Sequence, residues 1–265
     1  MEKIYDPTTF SDYMKNLEKV GFQSTEIGKA AYVLKKMLED KETVIFLSFT
    51  ANLIASGLRG LIARLAKEKR VNVIITTAGS IEHDVMKTFF DYNIGSFYDD
   101  DKLLHKKGIN RLGNIQIKNK AYVIFEEVCK KVLTTFDEKQ SFCPSEIAKQ
   151  FGLYIENVAE EKRREKSFLY WCYKNDIPIF CPAIIDGALG LQIYFYMQKN
   201  KHVYIDHRTD MKNVANIVMN AKKTAAIIIG GGISKHYTIG LNLLRGGLNY
   251  AIYITTATEF DGSLS

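Results

Sequence analysis

Apolar residues recur along this chain in two alternating rhythms. Short continuous runs at residues 44–50, 71–79 and 225–229 read as strands buried on both faces. Stretches between them carry apolar residues three and four apart, the spacing of a helix with one buried face. Ile27, Ala30, Val33, Leu34, Met37 and Leu38 follow Thr25 in this way, and residues 52–65 and 81–92 follow the first two strands. Strand, small-residue turn and helix in repetition predict parallel strands joined by helical crossovers.

The middle of the chain is less regular. Residues 93–113 are polar and predict a long surface excursion, and residues 119–138 a helix with Tyr122, Phe125, Val128, Cys129 and Val132 on one face. Pro144 precedes a helix at 145–151, and residues 167–174 form another. A strand is predicted over 177–185, with Pro182 demanding a bend inside it. Helices over 189–198, 210–222 and 238–244 and strands over 203–206 and 250–256 complete the pattern. Ser11 or Asp12 offers a cap for a helix within the first twenty residues. No linker or repeat divides the chain, which reads as a single α/β domain over residues 1–265, doubly wound on a mostly parallel sheet.

The run at 225–229 ends in Gly230-Gly231-Gly232, followed by Lys235-His236. Three glycines weaken any regular element, so they fit a place where backbone turns or lies against a ligand. In an open parallel sheet, ligands bind at the carboxyl ends of the strands. Other predicted strands end at Thr50 and Asn52, at Thr76-Thr77-Ala78-Gly79, at Asp186-Gly187 and at Thr255-Thr256-Ala257. Together these ends predict a dinucleotide site, with Thr and Asn for phosphate or ribose and Asp186 for a ribose hydroxyl pair. The G-x-G-x-x-G fingerprint does not follow the first strand. Of the nearby polar residues, Glu82 and His83 sit in a predicted first helical turn. His236 is a candidate proton acceptor, since an ordinary imidazole titrates near 6.5.

Composition narrows the class without choosing a function. The net charge of +6 is modest, and the Lys67–Arg70 and 162–166 groups read as solvated helix faces, so nucleic-acid binding is not expected. Cys129, Cys143, Cys172 and Cys181 show no C-x-x-C spacing and read as buried thiols in a reducing compartment. No cluster has metal-ligand spacing. With no signal-peptide or membrane-spanning pattern, a soluble cytoplasmic protein is expected.

Over nearly its whole length the chain resembles deoxyhypusine synthase. The resemblance rests on Gly21-Phe-Gln-Ser-Thr25, Thr50-Ala-Asn-Leu-Ile-Ala-Ser-Gly57, Thr76-Thr-Ala-Gly79 with Glu82 and Asp84, and Gly108-Ile-Asn-Arg-Leu-Gly-Asn114. It continues through Pro182-Ala183, Asp186-Gly187, Leu189-Gly190, Gly230-Gly-Gly232 with Lys235-His236, and Glu259-Phe-Asp-Gly-Ser263. It implies a Rossmann-like sheet with helices on both faces and a tetramer with sites at a dimer interface. It also implies NAD-dependent transfer of the aminobutyl group of spermidine to a lysine of a 5A-type translation factor. Asn52, Leu53, Ala55, Thr77, Ala78, Gly79, Asp186, Gly231, Thr256 and Ala257 would then line NAD. Glu82, His83, His236, Gly262 and Ser263 would face the polyamine, with His236 the catalytic candidate.

Several positions depart from the family pattern. His83 stands where the family has a second glutamate, Leu191 and Leu264 where it has amine-holding aspartates, Ser80 for a glycine and Gly240 for an asparagine. A buried ammonium needs a carboxylate partner, so these changes are expected to weaken polyamine binding. The family's imine-forming lysine lies in a segment beyond the position of Ser265. Besides the transferase, two further readings therefore stay open. One is a non-catalytic paralogue serving in a homo- or hetero-oligomer; the other is a related enzyme that forms homospermidine.

Overall fold

The computed structural model describes residues 9–258. Its centre is a five-stranded parallel sheet built from β1 (Thr43–Phe49), β2 (Val73–Ile75), β3 (Ile179–Phe180), β4 (Lys223–Ile229) and β5 (Tyr250–Ile254), in the spatial order β5-β4-β1-β2-β3. This is a doubly wound arrangement. The chain leaves β1 toward β2 and leaves β4 toward β5, in opposite directions, so β1 and β4 flank the switch point. Their seven-residue register runs from Thr43↔Lys223 to Phe49↔Ile229.

Period-two alternation explains why both faces are covered. Ile45, Leu47, Phe49, Ile74 and Ala225 enter the larger core, beneath the helices that follow β1 and β2 and those of the middle region. Phe46, Val73, Ile75, Ala226 and Ile228 point the other way, onto helices His207–Asn220 and Gly232–Asn242 through Val214, Val218 and Leu241. Strands buried on both faces read as the unbroken apolar runs seen in the sequence.

Several boundaries differ from the sequence pattern. Helix 52–65 is two helices, Ala51–Ala55 and Arg59–Lys67, parted at Ser56 and Gly57. The first helix, Phe10–Leu17, is capped by Thr9, which accepts from the Asp12 amide, and not by Ser11 or Asp12. The predicted strand at 177–185 shrinks to Ile179–Phe180, because the chain turns at Pro182 toward the helix that Asp186 caps. Residues 93–113 are not an irregular excursion. Asn93–Ile94, Ile109–Leu112 and Ile115–Lys118 form an antiparallel sheet around the Gly113-Asn114 turn, with helix Asp101–Lys106 between the first two. Tyr204–Ile205 pairs with Ser141–Phe142, outside the central sheet. Among the described residues no helix is long and apolar enough to cross a membrane.

One buried charge cluster locks three helices together. Arg59 Nε donates to Asp84 Oδ1, and the Asp84 Oδ2 atom accepts from Ser167 Oγ at 2.6 Å and from the Leu169 amide at 3.0 Å. Both partners of the ion pair are shielded from water, with side chains 6% and 0% exposed. Removing Asp84 would strand Arg59 in a dry interior. Asp84→Ala is therefore expected to lose about 3–5 kcal/mol in urea denaturation, whereas Arg59→Met with Asp84→Leu regains most of it. A single-variant loss below about 1 kcal/mol would mean that solvent reaches the guanidinium and the pair is not structural.

Candidate active site

The switch point sets the geometry of the carboxyl edge. Where β1 and β4 end, Thr50 lies beside Gly230; a Cβ on Gly230 would sit 3.2 Å from Thr50 Oγ1, at φ +89°. Gly232 has φ +70° and opens helix Gly232–Asn242, six residues earlier than the predicted start at 238. His236 is therefore inside the helix and exposed, and Lys235 Nζ lies 5.2 Å from the centre of the Tyr253 ring.

The second strand end is built the same way. Thr77 is the N-cap of helix Ala78–Phe89, yet its side chain makes no capping bond. Its Oγ1 is buried and has no hydrogen-bond partner. A buried hydroxyl left unpaired is costly, and Thr77 lies at the edge where ligands bind in such sheets. Thr76, one residue before it, donates to Phe49 O at 2.9 Å and shares a 2.6 Å contact with Ser80 Oγ, which fastens β2's end to β1's. Gly79 allows the close approach, since a Cβ there would meet the Ala51 Cβ at 2.8 Å.

Of the ten residues expected at a cofactor, Asn52, Asp186, Thr256 and Ala257 are exposed, and Thr77, Gly79 and Gly231 are half-buried. Leu53, Ala55 and Ala78 are buried in the core, so main chain is what they can offer a ligand. Asp186 Oδ1 accepts from the Gly187 amide at 2.8 Å, capping helix Gly187–Lys199. Gly262, Ser263 and Leu264 lie outside the described residues.

Glu82 and His83 are in the second turn of their helix, not the first, because that helix begins at Ala78. Glu82 is 7% exposed and its Oε1 accepts from the Leu189 amide at 2.9 Å, at the start of helix Gly187–Lys199. A side chain on Gly187 would collide with this carboxylate. Burial raises the Glu82 pKa and Asp186 adds to it, while the Leu189 and Ala188 amides oppose. His83 turns elsewhere. Its Nδ1 is 2.8 Å from the Tyr92 hydroxyl, and burial followed by the Lys87 charge brings its pKa down to about 4. At neutral pH it is an uncharged imidazole and supplies none of the negative charge that a glutamate would.

Lys87 and the Tyr92 ring beside it, which sequence reasoning passed over, complete this wall. Lys87 Nζ donates to Ile54 O at 3.0 Å, Ala55 O at 2.9 Å and Ser56 O, closing the carboxyl end of helix Ala51–Ala55. Its ammonium also lies 5.4 Å from the centre of the Tyr92 ring. Burial and then Arg59 bring its pKa down to about 8, against the pull of Asp84. The one available signal was a lysine four residues after His83 on the same helix. Leu191, in contrast, is 57% exposed. No metal-binding group of three or more His, Cys, Asp or Glu residues occurs among the described residues.

A doubly wound parallel sheet with bare loops at its switch point defines the Rossmann-like class. Within it, the deoxyhypusine synthase family model matches residues 12–265. Proteins named "Probable deoxyhypusine synthase" from Thermococcus kodakarensis and Methanocaldococcus jannaschii are both 42% identical to it. They align over 98% and 93% of this chain, and over 80% and 78% of their own lengths. A solved structure from Entamoeba histolytica, assigned to the same enzyme, superposes with a TM-score of 0.72 at 27% identity, covering 97% of this chain and 88% of that one. The chain belongs to the deoxyhypusine synthase family, a family of transferases.

The buried imidazole makes folding sensitive to acid. His83 binds fewer protons folded than unfolded between pH 6.5 and about 4. Its contribution is complete above 6.5 and is lost as pH falls through that window, on the order of 3 kcal/mol by pH 4. His83→Gln, which keeps a partner for Tyr92, should flatten this part of the stability profile in denaturant titrations. Parallel profiles for the two proteins would show that water hydrates the ring.

Proposed function

We propose that this chain is an NAD-dependent aminobutyl transferase of the deoxyhypusine synthase type. It would take the group from spermidine or a related polyamine and deliver it to a lysine of a 5A-type translation factor. The observation that carries the cofactor half is the unpaired, buried Thr77 hydroxyl at the N-cap of helix Ala78–Phe89, on the edge that also holds the glycine triplet. The caps of helices Ala78–Phe89 and Gly232–Asn242 make no side-chain hydrogen bond, which leaves the positive ends of two helices uncapped toward an anion such as a pyrophosphate. Asn52, Ala78, Gly79, Gly231, Thr256 and Ala257 would hold the dinucleotide largely through main chain, with Asp186 toward a ribose. Bound NAD would supply the hydride acceptor for oxidising the amine.

The chain's own side chains then divide the remaining work. Lys87 holds the Asn52 segment by its last carbonyls, fixing the loop on which the cofactor rests. Glu82 offers a carboxylate near the edge, and its raised pKa suits exchange of a proton with an amine. His236, exposed beyond the glycines, is the proton acceptor in this reading. The same edge at a subunit interface, in a cytoplasmic homotetramer, completes the proposal by family likeness.

A second reading has a specific observation behind it. His83 is neutral and Leu191 is apolar where the resemblance calls for carboxylates. A dication would find little compensation there, which favours a cofactor-binding subunit that supports an active paralogue.

Calorimetry separates the two readings. NAD is expected to bind, and Thr77→Val to weaken it about tenfold while leaving the free protein at least as stable, since the unpaired hydroxyl is gone. Absence of NAD heat would end both readings. Leu191→Asp places a carboxylate on an exposed position and is expected to tighten spermidine binding by roughly fivefold, about 1 kcal/mol for a partly screened pair. Spermidine that binds neither protein would leave the supporting-subunit reading.

A further inference from the structure

The basic group at residues 162–166 does not lie on an ordinary solvated face. It forms one wall of an open cleft of about 930 Å³ between the carboxyl end of helix Ala78–Phe89, the Glu161–Arg164 turn and the small antiparallel sheet. Lys162, Arg163 and Lys166 line it together with Arg59 and Lys87, and Asp91 and Glu160 are the carboxylates in the lining. With Arg59 neutralised by Asp84 from behind the lining, four cations face two anions, an excess of two positive charges.

How these cations are paired matters more than their number. Asp84 satisfies Arg59 from outside the lining, and Asp91 holds Arg163 through two contacts of 3.1 and 3.0 Å. Lys87 rests on backbone carbonyls and has no carboxylate of its own. Lys162 and Lys166 are exposed and form no ion pair among the described residues. Lys162 and Lys166 thus bring two ammonium groups to one concavity with no ion-pair partner among the described residues. Such a concavity concentrates anions.

The rest of the lining is of a different kind. Phe90, Tyr92 and Ile115 are half-buried there, and Ile94 stands 86% exposed at the rim, next to the amides of Asn93 and Asn114. An apolar and aromatic surface beside a cationic wall suits a ligand with a ring at one end and clustered negative charge at the other. A volume of this size exceeds what a free phosphate needs and matches a nucleotide.

We propose that this cleft is a binding site for a nucleoside di- or triphosphate, with the phosphates on Lys162 and Lys166 and the base against Tyr92 and Ile94. Arg163 would exchange Asp91 for a phosphate oxygen. This does not depend on the transferase reading, because Ala55 is the only residue that the cleft lining shares with the expected cofactor set.

The test titrates ADP into the full chain by calorimetry at low ionic strength, with the cleft read through lysine variants that do not touch the strand edge. ADP is expected to bind, and Lys162→Glu with Lys166→Glu to weaken it at least tenfold without changing the thermal midpoint. Lys35→Glu with Lys36→Glu, the same charge change on residues that do not line the cleft, should leave ADP affinity within about twofold. Inorganic pyrophosphate should bind more weakly than ADP. No ADP heat, or equal losses in the two double variants, would overturn the site. Equal affinity for pyrophosphate and ADP would overturn its assignment to a nucleotide.

Discussion

The parallel pairing of β1 with β4 is the constraint from which the candidate site follows. Its register ends at Phe49 and Ile229, so Thr50 and Gly230 emerge side by side from the sheet. From there the two chains must depart in opposite directions, one toward β2 and one toward β5. The crevice between them exists because no crossover can cover it. A side chain at Gly230 would press on Thr50, and the positive φ there and at Gly232 disfavours any residue with a Cβ. The glycines are thus a requirement of the strand pairing as well as an opening for a ligand.

Behind that edge stands a layer of buried polar contacts that fixes helix Ala78–Phe89. Asp84 joins it to the helices at Arg59 and Phe168, Glu82 to the start of helix Gly187–Lys199, and Lys87 to the end of helix Ala51–Ala55. Each of these groups carries charge into a region of low water access, where an unpaired partner is expensive. The helix is therefore held on three sides by bonds that tolerate little displacement. One end carries Thr77, with its buried unpaired hydroxyl, at the strand edge, and the other forms a wall of the basic cleft. Two surfaces of different chemistry share one rigid element.

How much of this could be read from residues alone varies with the range of the interaction. The central strands were legible because burial on both faces leaves an unbroken apolar run, and β1, β2 and β4 carry one. The edge strand β3 was overdrawn, since Ile184 and Ile185 look like strand residues until Pro182 bends the chain. The antiparallel sheet went unread because its strands are short and hold a single buried residue, Ile117, although Gly113-Asn114 is a turn signal between alternating residues. Glu82 was legible as a polar residue near the site. Its bond to Leu189 joins residues 107 apart in sequence, a separation that no local spacing reveals.

The sequence by itself determined the α/β class, the strand tips that end in small residues, and the family, because these depend on local periodicity and on motifs that survive as strings. Only the tertiary structure decided that His83 is a neutral imidazole turned to Tyr92, that Lys87 closes the Asn52 helix, and that the 162–166 group faces a cleft. The physical reason is that a charge acquires its meaning from its surroundings. Burial, a partner across the fold and a shared concavity are products of chain crossings, and the order of residues does not display them.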